Sequence, residues 1–152
     1  MPAAVTEERP DSPDATSLIA ELDVHLESLY PLESRHGYSV AKLLAQGVVF
    51  FLIRDGGTAV GCGGIQVVGT EYGELKRMYV RPQFRGRGFG RLMLNHLVDY
   101  ARSQQLALLR LETGIHQKAA IALYEGMGFK RIPPFADYTD DPLSRCYEKR
   151  IG

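Results

Sequence analysis

Between residues 72 and 112 the chain carries a pattern that few folds accommodate. A strand run, "YGELKRMYV", leads into a glycine- and arginine-rich turn, "RPQFRGRGFG", then a helical stretch, "GRLMLNHLVDYARSQQ". "LALLRLE" follows, almost continuously apolar. A strand without polar alternation is buried on both faces, the condition of a parallel strand covered by helices. Two strands joined through a helix form a right-handed crossover, so this segment calls for a sheet with a helix packed on it.

The flanking segments extend that sheet. Residues 3–9 predict a short strand. "DSPDATSLIAELDVHLESLY" opens with capping residues and places Leu18, Ile19, Leu22, Leu26 and Leu29 at helical spacing, and Pro31 ends the helix. "YSVAKLLAQG" predicts a second short helix closed by Gly47. "VVFFLIRDGGTAVGCGGIQVV" reads as two strands about an Asp-Gly-Gly turn. "QKAAIALYEGMG" predicts a last helix with Gly128 at C′, and "FKRIPPF" and "LSRCYEKRI" two closing strands. The order βααβββαβαββ predicts an α+β (mixed α/β) fold. It has a central, mixed, twisted sheet of six to seven strands with four helices spread over both faces, in a single domain of residues 1–152.

The turn after the crossover's first strand concentrates Arg85, Arg87 and Arg91 among Gly86, Gly88 and Gly90. Over the whole chain 18 Lys+Arg balance 18 Asp+Glu, so the positive cluster is local and suits a local anion rather than a polyanion. No aromatic RNA platform or helix-turn-helix pattern accompanies Arg81, Arg85, Arg87 and Arg91, so no nucleic-acid partner is expected. The N-terminal stretch lacks the apolar core of a signal peptide, and no run approaches the ~18 apolar residues of a membrane span. Cys62 and Cys146 form no CxxC pair, and His25, His36, His96 and His116 show no ligand spacing. A cytoplasmic protein with reduced thiols and no metal is the expectation.

Helix N-termini present unpaired N–H groups and about half a positive charge, so phosphate binds there readily. Glycines let the backbone turn its amides inward without a Cβ in the way. A Walker A loop needs Gly-Lys-Ser/Thr, but Arg91 and Leu92 follow Gly90. The dinucleotide pattern GxGxxG read from Gly86 would need glycine at 91, and the loop follows a hairpin rather than opening a first βαβ unit. What remains is Gln83-x-x-Gly86-x-Gly88, which resembles the Q/R-x-x-G-x-G/A signature of the GNAT superfamily of N-acetyltransferases. "GELKRMYVRP" resembles that family's fourth strand. "LETGIHQKAAIALYEGMGF" resembles its fifth strand and following helix, with Gln117 at a position where the family commonly has asparagine. Ala120, Leu123, Tyr124, Gly128 and Phe129 stand in step with the family pattern. The resemblance covers about residues 47–151.

The resemblance implies a GNAT-like fold with strands 4 and 5 splayed apart and acetyl-CoA as acyl donor. The backbone of Met78, Tyr79 and Val80 would pair with pantetheine, and the amides from Arg85 through Gly86, Arg87, Gly88, Phe89 and Gly90 to Arg91 would hold the pyrophosphate. Strand four offers a test, because apolar residues shift from odd (Leu75) to even positions (Met78, Val80), as a one-residue bulge would cause. Tyr124 matches a tyrosine that commonly stands near the CoA sulfur in this family. Glu74 matches a strand-four position where members keep a base, and it is equally read as a charge partner of Lys76 or Arg110. No Ser/His/Asp or Cys/His arrangement is apparent, which favours direct attack of the amine on the thioester.

In this architecture the loops 30–39 and 133–144 flank the acyl group. Glu33, Arg35, His36, Asp137, Tyr138 and Asp140 are their candidate acceptor residues, with Arg35 suited to a carboxylate and Asp137 or Glu33 to an amine. The expected acceptor is therefore the primary amine of a small, amino-acid-like metabolite. A protein lysine or N-terminal amine, and a non-catalytic acyl-CoA-binding module, are the alternatives. The resemblance also makes a homodimer an expectation.

Overall fold

A computed structural model describes residues 3–35 and 38–152. Seven strands form one sheet: β1 (Ala3–Glu7), β2 (Val49–Asp55), β3 (Thr58–Val68), β4 (Tyr72–Val80), β5 (Leu108–Gly114), β6 (Lys130–Ile132) and β7 (Ser144–Arg150). Four helices join them: α1 (Pro13–Leu29), α2 (Val40–Ala45), α3 (Phe89–Ser103) and α4 (Lys118–Gly126). The element order is the one the sequence predicts. The spatial order β1-β2-β3-β4-β5-β7-β6 is new, because the last strand inserts between β5 and β6. Among the described residues only β4 and β5 run parallel, as the crossover through α3 requires.

Local chemistry accounts for the boundaries. Ser12 caps α1, its Oγ accepting from the Ala15 amide at 3.1 Å, and Pro13 occupies the first turn, where a missing N–H costs nothing. Ser39 caps α2 the same way through Lys42 N. The strand expected over "FKRIPPF" is cut to β6, since Pro133 and Pro134 bring no ladder donor.

Helices cover both faces, and strand residues sort between them by parity. Phe51, Ile53, Leu75, Leu109 and Leu111 pack with Met93, Leu94 and Leu97 of α3 and Tyr124 of α4. Phe50, Leu52, Cys62 and Tyr79 pack on the other face with Leu18, Ile19 and Leu22 of α1 and Leu43 of α2. The unbroken apolar run "VVFFLI" is thus the signature of a strand covered twice. Leu75 faces α3 while Tyr79 faces α1, although the two are four residues apart, so the strand has flipped between them.

The flip is a bulge. Lys76 pairs with Gly64 and Tyr79 with Cys62, which leaves Arg77 and Met78 together opposite Gly63. Arg77 sits at φ 55°, a left-handed conformation unusual for a long side chain. On its other edge β4 pairs with β5 over three positions only, Tyr72↔Leu108 to Glu74↔Arg110. Beyond Glu74 the two strands part, and the bulge and the parting together open the sheet.

Close approach in β3 makes this possible. A Cβ on Gly61 would lie 2.7 Å from the Tyr79 carbonyl oxygen and 3.0 Å from Ile53 Cδ1. Gly61→Ala should therefore cost about 1–3 kcal/mol and lower Tm by roughly 3–10 °C in a thermal unfolding scan. An unchanged Tm would show that β4 can retreat without penalty.

Candidate active site

The opening between β4 and β5 holds two adjoining cavities. The larger, about 470 Å³, lies toward α3 and α4. Of the residues expected to hold the cofactor, Met78, Tyr79, Val80, Arg85, Gly86, Gly88, Phe89, Gly90, Arg91 and Gln117 line it. Arg87 does not. Its side chain is exposed, with the guanidinium 5.4 Å from the centroid of the Phe84 ring.

The cavity's floor is backbone. Gly88 takes φ 81° as the N-cap of α3, so the chain enters the helix through a left-handed residue and the first-turn amides are free to face the cavity. A Cβ on Gly90 would stand 2.9 Å from Leu123 Cδ2, so glycine there keeps α3 and α4 close. Arg85 Nε donates to the Val80 carbonyl at 2.9 Å, folding the loop back over the end of β4. Unpaired helix amides answer a diphosphate, the edge of β4 left open past Glu74 answers a chain of amides, and the volume lies within the ~300–1,000 Å³ of ligand pockets. These residues fit a coenzyme A.

The smaller cavity, about 110 Å³, lies toward α1. Leu22, Met78, Gln117, Ala120 and Tyr124 line both cavities and mark where they meet. Tyr124 is buried among apolar neighbours, with no hydrogen-bond partner among the described residues. Burial, reinforced by the negative charge of Glu112, pushes its phenol well above the usual tyrosine range. The hydroxyl therefore stays protonated at neutral pH, a donor at the junction. Tyr30 fixes the opposite wall: its hydroxyl accepts from His116 N at 2.9 Å and donates to Gln117 Oε1 at 3.2 Å. Gly114 admits that ring, since a Cβ there would overlap the phenol oxygen at 2.1 Å.

The acceptor-side candidates divide. Arg35 and Tyr138 line the smaller cavity. Arg35 has an ion pair to Glu27 at 3.5 Å, and its Nε is buried with no partner among the described residues. Glu33 and Asp137 are exposed and line neither cavity, because the 3₁₀ turn Leu32–Ser34 and the 133–144 loop turn those carboxylates outward. Asp140 is likewise exposed. His36 lies outside the described residues.

Glu74 is buried, not an exposed strand charge. Its Oε2 accepts from Lys76 Nζ at 2.7 Å and from the Tyr138 hydroxyl at 2.5 Å. Glu74 lines neither cavity, whereas Lys76 lines the smaller one and sits 3.8 Å from the centroid of the Tyr38 ring. The carboxylate that reaches the acceptor cavity is Glu112 of β5, which sequence reasoning did not single out. Ser144 Oγ donates to its Oε2 at 2.6 Å. A signal was present in "LLRLETG": with Leu109 and Leu111 facing α3, Arg110 and Glu112 must face the other way, and Glu112 stands beyond the last β4–β5 pair. Neither thiol lines a cavity: Cys62 and Cys146 are buried, and burial pushes the Cys62 thiol up to about 12.

Comparison with known proteins agrees with this geometry. The sequence pattern of the Acetyltransferase (GNAT) family matches residues 9–129. The chain is 44% identical over 149 residues to an IAA acetyltransferase of Azospirillum brasilense, covering 97% of each chain. It is 31% identical to the uncharacterized N-acetyltransferase YsnE of Bacillus subtilis, covering 88% of this chain and 92% of that one. A crystal structure of an acyl-CoA N-acyltransferase from Klebsiella pneumoniae superposes with a TM-score of 0.85 at 40% identity, covering 99% and 98% of the two chains. A helix entered through left-handed glycine beside a splayed, bulged strand, found together with these matches, places the chain in the GNAT family of N-acetyltransferases, whose acyl donor is acetyl-CoA.

Proposed function

We propose that the protein acetylates the primary amine of a small, amino-acid-like molecule by direct attack on acetyl-CoA. One observation carries the acceptor class. The cavity meeting the cofactor site at Tyr124 has a volume of only about 110 Å³ and is lined by Glu112 and three cations, of which Lys76 and Arg77 are committed to Glu74 and Asp23, leaving Arg35 with its unmatched Nε. A zwitterion with an ammonium toward Glu112 and a carboxylate toward Arg35 matches that pattern, and Arg35 has an unmatched Nε to offer. The narrow space disfavours a protein segment.

Bound in the larger cavity, acetyl-CoA supplies an activated acyl carbon. The residues around it bind, orient and move protons. The backbone of Met78–Val80 aligns the pantetheine, and the amides of residues 85–91 hold the diphosphate. Glu112 receives the ammonium and relays its proton to solvent, a neutralisation that costs about 4.6 kcal/mol for an amine of pKa ~10.4 at pH 7. The freed lone pair forms the new C–N bond as the C–S bond breaks onto sulfur. Tyr124 donates its proton to that sulfur and recovers one from the nitrogen, so of the two protons the ammonium loses, one ends on CoA and one passes through Glu112 to solvent. Glu74, committed to Lys76 and Tyr138, serves as the counter-charge that holds that wall in place. No acyl-enzyme forms, as neither buried thiol reaches a cavity.

Thiol release from acetyl-CoA over a panel of amino acids, simple amines, IAA and a short peptide tests the acceptor. Turnover should be highest for amines that also carry a carboxylate. Turnover of the peptide alone would move the acceptor to a protein N-terminus, and turnover of IAA without any amine would overturn the amine reading. Tyr124→Phe should lower kcat by about 10²-fold, and Glu112→Gln should lower kcat/KM for the amine by a similar factor. Neither should change the rise in Tm that micromolar CoA produces. A rate within threefold of the parent for either variant removes that residue's proton-transfer role.

A further inference from the structure

The β4 bulge is held from one side. Arg77 in its left-handed conformation is nearly sealed, its side chain 3% exposed. Its Nη2 pairs with Asp23 Oδ1 and donates to the Ile19 carbonyl at 3.3 Å, both on α1. Its own carbonyl accepts from Cys62 Sγ at 3.3 Å. Four residues on, Arg81 repeats the attachment: Nε donates to Glu21 Oε2 at 3.0 Å and Nη1 to the Ala59 carbonyl at 2.6 Å. The Tyr79 hydroxyl, between them, donates to Glu21 Oε1 at 3.2 Å. Past the flip, then, Arg77, Tyr79 and Arg81 all face α1, while Met78 and Val80 face α3.

Two acidic residues of one helix thus clasp β4 at both ends of the segment whose open edge faces the cofactor cavity. A long residue at positive φ costs on the order of 1–3 kcal/mol and persists only where its surroundings over-determine it. Here the surroundings are a charge-assisted pair, a helix carbonyl and a thiol. Between Asp23 and Glu21 stands Leu22, which lines both cavities.

We propose that Asp23 and Glu21 are positioning residues for acetyl-CoA. By pinning Arg77 and Arg81 they hold the edge of β4 in the bulged form that receives the pantetheine amides, and through Leu22 they tie the acceptor wall to that edge. The assignment rests on the pairing of Met78–Val80 with pantetheine given above. Neither carboxylate touches the reacting atoms, so their loss weakens cofactor binding and leaves the chemical step in place.

Titration calorimetry of CoA, with acetyl-CoA kinetics alongside, tests this on the full chain. Asp23→Asn and Glu21→Gln each should raise the Kd for CoA and the KM for acetyl-CoA roughly 3–10-fold, with kcat at saturation within twofold of the parent. Asp23→Glu, which keeps the charge, should recover part of the affinity. Arg77→Gly separates conformation from attachment: glycine adopts φ 55° freely, yet the pin to α1 is gone. It too should bind CoA more weakly. CoA affinity within twofold of the parent in Asp23→Asn and Glu21→Gln, or in Arg77→Gly, would make the clasp a structural staple only and overturn the proposal. Should Asp23→Asn fail to fold, Glu21→Gln and Arg77→Gly decide. A parent protein that binds no CoA would instead overturn the cradle itself, a result distinct from equal binding by parent and variants.

Discussion

The parting of β4 from β5 after three paired positions is the constraint on which the site depends. A sheet that stayed closed would satisfy its backbone groups internally and leave nothing for a ligand to bond. The structure instead ends the ladder at Glu74↔Arg110, adds one residue to β4 at Arg77–Met78, and leaves a strand edge available. The start of α3 and the edge of β4 then converge on one cavity, where main-chain groups stand beside the side chains of Arg85 and Arg91. Backbone is the economical choice for holding a long, flexible cofactor, since its groups are already ordered by the fold.

The two faces of the sheet take separate tasks. On the α3–α4 side the lining combines apolar side chains and main-chain amides with Arg85 and Arg91 of the glycine-rich loop. On the α1–α2 side the charges gather: Glu74 with Lys76, Arg77 with Asp23, Arg81 with Glu21. Tyr124 belongs to the first side and Glu112 to the second, and the opening in the sheet is what lets both line the smaller cavity. A buried ion pair such as Glu74–Lys76 is weak evidence for stability, because desolvation offsets attraction. Its evident consequence is geometric, setting Lys76 against the Tyr38 ring and drawing the Tyr138 hydroxyl onto the acceptor wall.

Much of this was legible in the chain itself. The parity shift from Leu75 to Met78 and Val80 located the bulge to within a residue, since side-chain direction follows the pleat and an inserted residue shifts its parity. Gly86 and Gly88 marked the left-handed backbone at the start of α3, since that conformation is a local demand that glycine meets. The acceptor side was harder to read. Glu33 and Asp137 look like Arg35 and Tyr138 in sequence, all polar residues in polar loops. Which of them turns inward is decided by contacts with residues far along the chain, such as Tyr138 with Glu74. Arg87 shows the same ambiguity inside the cradle itself.

Local rules, then, were enough to determine the order of elements, the covered strands, the bulge and the glycine-rich turn into α3, because capping, periodicity and glycine backbone act over a few neighbouring residues. Only the tertiary structure decided that β7 inserts between β5 and β6, that Glu112 rather than Glu74 opens onto the acceptor cavity, and that α1 clasps both ends of the bulged segment. Those outcomes depend on which strands lie side by side and on which buried charges find one another. Parity in "LLRLETG" turns Glu112 away from α3, but pairings that join residues tens of positions apart lie beyond any local pattern.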